Sequence, residues 1–304
     1  MKPAYFGILL SVVCLPISNT FSDGPFVVAG YLPDYRLEQW SQETEPLTDI
    51  VFFGMSAPKD GRFNGSVIAQ EQLVLLKRIK EKSNCRMLFT IGGWDKSEGF
   101  VQLAADTTLR SQFVQDVAAF CVKNGFDGVD FDWEHPEGAE QIQSLAELLA
   151  ETHTVFSQHK LIVTIAQAGW QDLGSEVYKA VDRVHLMSYD HDFPQATLEK
   201  SKADVQRLIN AGCPRSKIVL GLPFYGRNKA RAAKTFSELQ KDATFSTNIN
   251  VVDGYAFNNS ATIEKKVRYA RAEQLGGVMV WELGQDAASP NSLLESIGKS
   301  MKAD

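Results

Sequence analysis

The chain predicts an α/β fold, a single-domain (β/α)8 barrel, and three observations lead there. Short, almost continuously apolar runs recur along nearly its whole length, and stretches with helical apolar spacing separate them. The residues that close the apolar runs are repeatedly aromatic, hydroxyl-bearing or acidic. Continuous apolar strands that alternate with helices mark a parallel sheet buried on both faces. Eight such runs fit a closed barrel better than an open sheet, and 304 residues is an ordinary length for one.

The first strand is expected over residues 26–32 and the second over 50–55, both apolar throughout. A helix over 71–82, with apolar positions three and four apart, leads to a third strand at 86–91. Residues 108–123 form the next helix, and Asn124-Gly125 stops it before a fourth strand at 128–133. A helix over 140–158 precedes the fifth strand at 161–166, and the sixth follows at 183–189. A helix at 198–211 leads to the seventh strand, 218–222, and one at 263–275 to the eighth, 277–281. A last helix over 291–301 closes the chain. No interdomain linker, low-complexity tract or basic run interrupts residues 23–304, which read as one domain.

Function concentrates in the fourth strand, Asp127-Gly-Val-Asp-Phe-Asp-Trp-Glu134, which holds four carboxylates in eight positions. A strand has period two, so Asp130, Asp132 and Glu134 share one face, while Val129, Phe131 and Trp133 share the other. Asp127 has the wrong parity and reads as a residue that starts or caps the strand. Like charges in a file repel, which predicts at least one raised pKa and a proton available near neutrality. The residues alone leave three readings open: acid/base chemistry, a divalent-cation loop, or a structural network. Bulky strand formers between the acids speak against a calcium loop, which needs a sharp glycine bend.

Active sites of such barrels lie at the C-terminal ends of the strands. Those ends carry Tyr31, Phe53, Trp94, Glu134, Gln167, Tyr189, Tyr225 and Trp281. Four of the five tryptophans, all but Trp40, fall near this rim. Aromatic faces stack on sugar rings, so the gathering favours a carbohydrate groove.

A formal net charge of −6 argues against nucleic acid or an anionic membrane as partner. Residues 1–22 read as a secretory signal peptide, with Lys2, an apolar run too short to span a bilayer, and small residues near Ser22. Secretion, to the exterior or a periplasm, is therefore expected, with no membrane attachment after cleavage. The remaining Cys85, Cys121 and Cys213 cannot all pair within one chain; buried free thiols are expected, and no spacing suggests a zinc site.

The motifs together resemble glycoside hydrolase family 18, the retaining chitinases and their relatives. The octapeptide resembles the family signature, Thr90-Ile-Gly-Gly-Trp94 the third-strand motif, Met187-Ser-Tyr-Asp190 the sixth and Gly277-Val-Met-Val-Trp281 the eighth. Ala29-Gly-Tyr-Leu-Pro-Asp-Tyr-Arg36 fits the first strand. The family departs from the two-carboxylate scheme, because the substrate's N-acetyl group is the nucleophile. The resemblance therefore implies Glu134 as the single acid/base, Asp132 as the group that orients the acetamide, and Asp130 as a deeper acid sharing a proton with Asp132. It implies that Tyr189 bonds the acetamide oxygen and that Trp281 floors the site. Asp190, Met187, Trp94, Tyr225, Tyr31 and Arg227 are the further substrate-binding candidates. His135 is expected to point away from Glu134 and to anchor a loop.

The resemblance implies no cofactor and no metal, an N-acetylglucosamine polysaccharide or oligosaccharide as substrate, and a monomer. Residues 228–250 are too few for the α+β lid that some family members insert, so a shallow, open cleft is expected. Three activities follow from it: hydrolysis of β-1,4-linked N-acetylglucosamine polymers, cleavage of N-glycans or cell-wall glycan, and non-hydrolytic chitin binding. Inactive relatives replace the terminal acid of the signature; here it is Glu134.

Overall fold

The structure, a computed structural model, describes residues 25–302. The expected signal segment, with Cys14, lies outside the described residues. In chain order the strands are β1 Val27–Pro33, β2 Asp49–Met55, β3 Arg86–Gly92, β4 Gly128–Asp132, β5 Ile162–Ala168, β6 Arg183–Met187 and β7 Ile218–Pro223. Four short strands follow, β8 Tyr225–Arg227, β9 Ala233–Thr235, β10 Val251–Val252 and β11 Tyr255–Ala256, before β12 Gly277–Trp281. The helices are α1 Gln70–Ser83, α2 Phe100–Ala105, α3 Thr107–Asn124, α4 Gly138–Ser157, α5 Gly174–Lys179, α6 Leu198–Asn210, α7 Phe236–Leu239, α8 Ser260–Ala272 and α9 Leu293–Lys302.

Strands β1 to β7 and β12 close a parallel barrel, with β12 seated between β1 and β7. The eight expected runs are the eight barrel strands, displaced by one or two residues at their ends. The alternation also holds. On β1, Val27, Ala29 and Tyr31 belong to a small apolar cluster inside the barrel, while Val28 and Leu32 belong to the larger core under the helices. On β4, Val129 and Phe131 face that outer core, so Asp130 and Asp132 face the barrel axis. Below them, buried Asp49 closes the barrel with Arg86 (2.8 Å) and Arg183 (3.0 Å).

Local chemistry fixes the helix ends. Asp106 caps α3 by accepting from the Thr108 and Leu109 amides (2.9 Å each), and Gly125 ends it in the left-handed conformation. Two short helices, α2 and α5, were not legible as helices, since neither is long enough to show a period. Residues 225–256 also hold more order than the sequence suggests. Strands β8 to β11 form an antiparallel sheet in the order β10-β11-β8-β9, and α7 packs Phe236 beneath it. The segment remains much smaller than an α+β domain. Cys85, Cys121 and Cys213 are buried free thiols.

Candidate active site

Gly92 and Gly93 shape the bottom of the site. Both have positive φ (103° and 111°), and a Cβ on Gly92 would lie 2.2 Å from the Asp132 carbonyl oxygen. The close approach lets the Gly93 amide donate to that carbonyl at 2.6 Å. Ser97 donates to the same carbonyl (2.9 Å) and accepts from the Glu134 amide (2.9 Å). The loop after β3 therefore holds the end of β4, and with it the two upper acids.

Asp130, Asp132 and Glu134 occupy three different environments. Asp130 is fully buried beneath the cleft. Its Oδ1 accepts from Thr164 (2.5 Å) and lies 3.3 Å from His185 Nδ1; its Oδ2 accepts from Tyr31 (2.8 Å) and Thr90 (3.4 Å). Burial opposes its ionisation, but the His185 ring and these hydrogen bonds outweigh burial and hold the carboxyl below its usual range. Asp132 goes the other way. Burial, then Glu134 and Asp130, push its pKa well up, and its buried Oδ1 has no partner among the described residues. Glu134 is lifted to about 7, first by burial and then by the charge of Asp190. Burial is thus the first cause of the Glu134 shift, and the charges that add to it, Asp190 and then Asp95, lie outside the file.

Above these acids lies a cleft of about 600 Å³. Asp132, Glu134, Met187, Tyr189, Asp190, Trp94, Tyr225, Arg227 and Trp281 all line it, as expected. Arg227 Nε and Nη2 grip the two oxygens of Asp190, the latter at 2.7 Å, and Tyr225 donates to the same carboxylate (2.5 Å). The Tyr189 hydroxyl has no hydrogen-bond partner among the described residues, and burial raises its pKa. Its ring fits because residue 221 is glycine; a Cβ there would lie 2.9 Å from Tyr189 Cε1. Trp281 forms the floor, edge-on to Phe53 (5.0 Å, 88°). Trp94 is 70% exposed at the rim.

Four expectations need correction. Tyr31 does not line the cleft: it is 2% exposed beneath Trp281, and its hydroxyl joins Asp130 and His185. No hydrogen bond joins Asp130 to Asp132 among the described residues, where Thr164, Tyr31, Thr90 and His185 engage the Asp130 oxygens instead. His135 does not point away from Glu134; its Nε2 stands 3.6 Å from Glu134 Oε2, and its ring packs against Trp170. Strand β4 ends at Asp132, so period-two parity no longer applies at 135. Burial lowers the His135 pKa, which favours the neutral ring beside the acid. Trp133 is 5% exposed and stacked on Phe100 (5.2 Å, 20°), so it is core rather than rim.

His185, Ser97, Arg231 and Gln285 are site residues that sequence reading missed. His185 carried a usable signal, since it shares the inward parity of Met187 on β6. Ser97 and Arg231 sit on loops and Gln285 on a single 3-10 turn, with no period to reveal them. Among the described residues, no group of His, Cys, Asp and Glu is arranged to hold a metal ion.

Comparison with known proteins agrees with this geometry. The sequence model of glycosyl hydrolases family 18 matches residues 27–286. The chain belongs to glycosyl hydrolases family 18. A family relative, Chitinase 1 of Aphanocladium album, is 29% identical over 287 residues, covering 74% of this chain and 67% of that protein. The chain spans about two thirds or less of the named relatives that it matches. A family 18 chitinase from the chitin utilization locus of Flavobacterium johnsoniae superposes with a TM-score of 0.78 at 25% identity, covering 91% of this chain and 94% of that one. A Cycas revoluta family 18 chitinase, solved with (GlcNAc)4, shares the fold with a TM-score of 0.78 at 20% identity, covering 90% and 99%.

Proposed function

We propose that the protein is a secreted retaining hydrolase of β-1,4-linked N-acetylglucosamine polymers. The observation that carries this reading is the state of the cleft carboxyls. Glu134 faces the cleft with its pKa lifted to about 7, where it can hold a proton for the glycosidic oxygen and later take one from water. A protein nucleophile would require a second ionised carboxylate at the reacting carbon. Burial, Glu134 and Asp130 push the Asp132 pKa well up, and Arg227 and Tyr225 grip Asp190. The resemblance to family 18 supplies the attacking group, the substrate's acetamide oxygen.

In the first step that oxygen bonds to the anomeric carbon, the glycosidic bond breaks, and the Glu134 proton passes to the departing oxygen. In the second, Glu134 takes a proton from water as the water opens the cyclised oxazolinium at the same carbon. Two displacements retain the configuration. Asp132, with a free buried Oδ1, accepts the acetamide N–H, and the unpaired Tyr189 hydroxyl donates to the acetamide oxygen. Trp281 stacks beneath the sugar. The chitinase names of the relatives and fold neighbours support the substrate class.

The test is a product profile on N-acetylglucosamine oligomers of defined length. Glu134→Gln should lower kcat by roughly 10²–10⁴-fold, the usual worth of general acid/base catalysis. A thiazoline mimic of the cyclised intermediate should inhibit. Oligomers left intact by the wild-type protein would defeat the assignment, and turnover insensitive to the thiazoline would defeat the mechanism.

A further inference from the structure

The hairpin joining β8 to β9 is strongly basic. It carries Arg227, Lys229, Arg231 and Lys234, with no acid between residues 225 and 237, in a chain of net charge −6. Beside the main cleft lies a smaller cavity of about 110 Å³, lined by Arg227, Lys229, Arg231, His191 and Asp192 among others. Arg227 and Arg231 line both cavities, so the two adjoin.

The cations of this hairpin differ in what they have left to give. Asp190 occupies Arg227, and Lys234 turns to Asp253 (2.7 Å). Among the described residues Lys229 has only a ring contact, with its Nζ 5.6 Å from the Phe193 centroid. Arg231 donates from Nη2 to the Asp190 carbonyl (3.1 Å). Its Nη1 stands 3.9 Å from Asp192, a fully solvated carboxylate, and such exposed pairs contribute little. Lys229 and Arg231 therefore keep unused donors at one opening of the cleft.

We propose that this cavity is a subsite for an oxyanion carried by the glycan, a carboxylate or sulfate on an N-acetylated sugar, with Lys229 and Arg231 as its ligands. The inference rests on the hydrolase reading above and adds a substrate class to it: N-acetylglucosamine polymers in which some sugars are acidic. The guanidinium fork of Arg231 suits a two-oxygen acceptor, and the Lys229 ammonium supplies a compact charge. At the reacting centre Arg227 meets the Asp190 charge, and burial raises the pKa of Asp132 and Glu134, which lessens their opposition to an anion.

The experiment compares kcat/KM on three oligosaccharides of one length: neutral N-acetylglucosamine, an oligomer with 3-O-lactyl carboxylates on alternate sugars, and a 6-O-sulfated oligomer. Lys229→Ala should leave the neutral substrate unchanged and lower kcat/KM on one acidic substrate by roughly threefold to tenfold, the range for one partly exposed charged contact. Lys229→Glu should lower it further, and Arg231→Lys should retain more than Arg231→Ala. The wild-type preference should fade as salt rises. The acidic arm that responds identifies the oxyanion. Equal losses on all three substrates, or no acidic preference in the wild type, would overturn the subsite. Failure of the hydrolase reading is separable, because it shows first as no turnover of any oligomer. Calorimetric binding of the same oligomers to Glu134→Gln then still decides the subsite.

Discussion

Glu134 owes its raised pKa to burial and to a neighbour in space rather than to the acids beside it in sequence. Burial contributes most to its raised pKa and Asp190 comes next. Asp190 lies on the other side of the cleft, at the end of β6. Asp190→Asn would remove that charge and leave the Arg227 guanidinium without its partner, and both changes favour ionised Glu134. Under the proposed mechanism the catalytic form is the protonated acid, so kcat/KM is expected to fall as pH rises through about 7 in the wild type. In Asp190→Asn this basic limb should move to lower pH. A pH–rate profile with an unmoved limb would show that Asp190 does not tune Glu134. Parity made Asp130, Asp132 and Glu134 legible, but not their different charges. The charge on Asp130 depends on His185, 55 residues downstream on another strand, and no local pattern joins the two.

Helix α6 ties two catalytic loops together from behind. Its Asp204 accepts from Ser188 Oγ (2.8 Å) and from His191 Nε2 (2.8 Å), the residues that flank Tyr189 and Asp190. The tautomer is fixed, since His191 Nδ1 accepts from the Ala196 amide. Arg207, one turn on, donates to Asp204 (3.1 Å) and to the Gly169 carbonyl beside Trp170. Residue 169 must be small, because a Cβ there would stand 2.6 Å from Asp204 Cγ. Asp204 is therefore a positioning residue for Tyr189. Asp204→Asn should reduce kcat by roughly tenfold, since small misplacements at a reacting centre are costly. The loss should be non-additive with Tyr189→Phe: the double variant should turn over no more slowly than Tyr189→Phe alone. Multiplicative losses would leave Asp204 a merely structural group. Apolar periodicity made α6 legible as a helix, with Asp204 an ordinary polar position. Its role arises from packing over the ends of β5 and β6, which a single-chain pattern does not encode. The same gap hid the β8–β11 sheet, whose strands of two or three residues are too short for alternation to register.

At the scale of the molecule, two buried ionisable groups give up stability in opposite pH ranges. Lys266 is fully buried on α8, its Nζ has no partner among the described residues, and burial lowers its pKa to about 7 from an ordinary 10.5. Folding therefore carries the full cost of charging this amine below pH 7, and the cost fades as pH climbs toward 10.5. Glu134 is the converse. Its raised pKa costs nothing below about 4.5, grows to pH 7, and stays in full above it. Lys266→Met, similar in length, should stabilise by up to about 5 kcal/mol at pH 5 and much less at pH 10. Glu134→Gln should do the reverse, near zero at pH 4.5 and about 2 kcal/mol at pH 9, as expected where an active site trades stability for function. At roughly 2 °C per kcal/mol for a domain of this size, both shifts are measurable by calorimetry across that pH range. Curves that move in parallel for the two variants would refute the assignment, because only opposite ionisation signs make them cross.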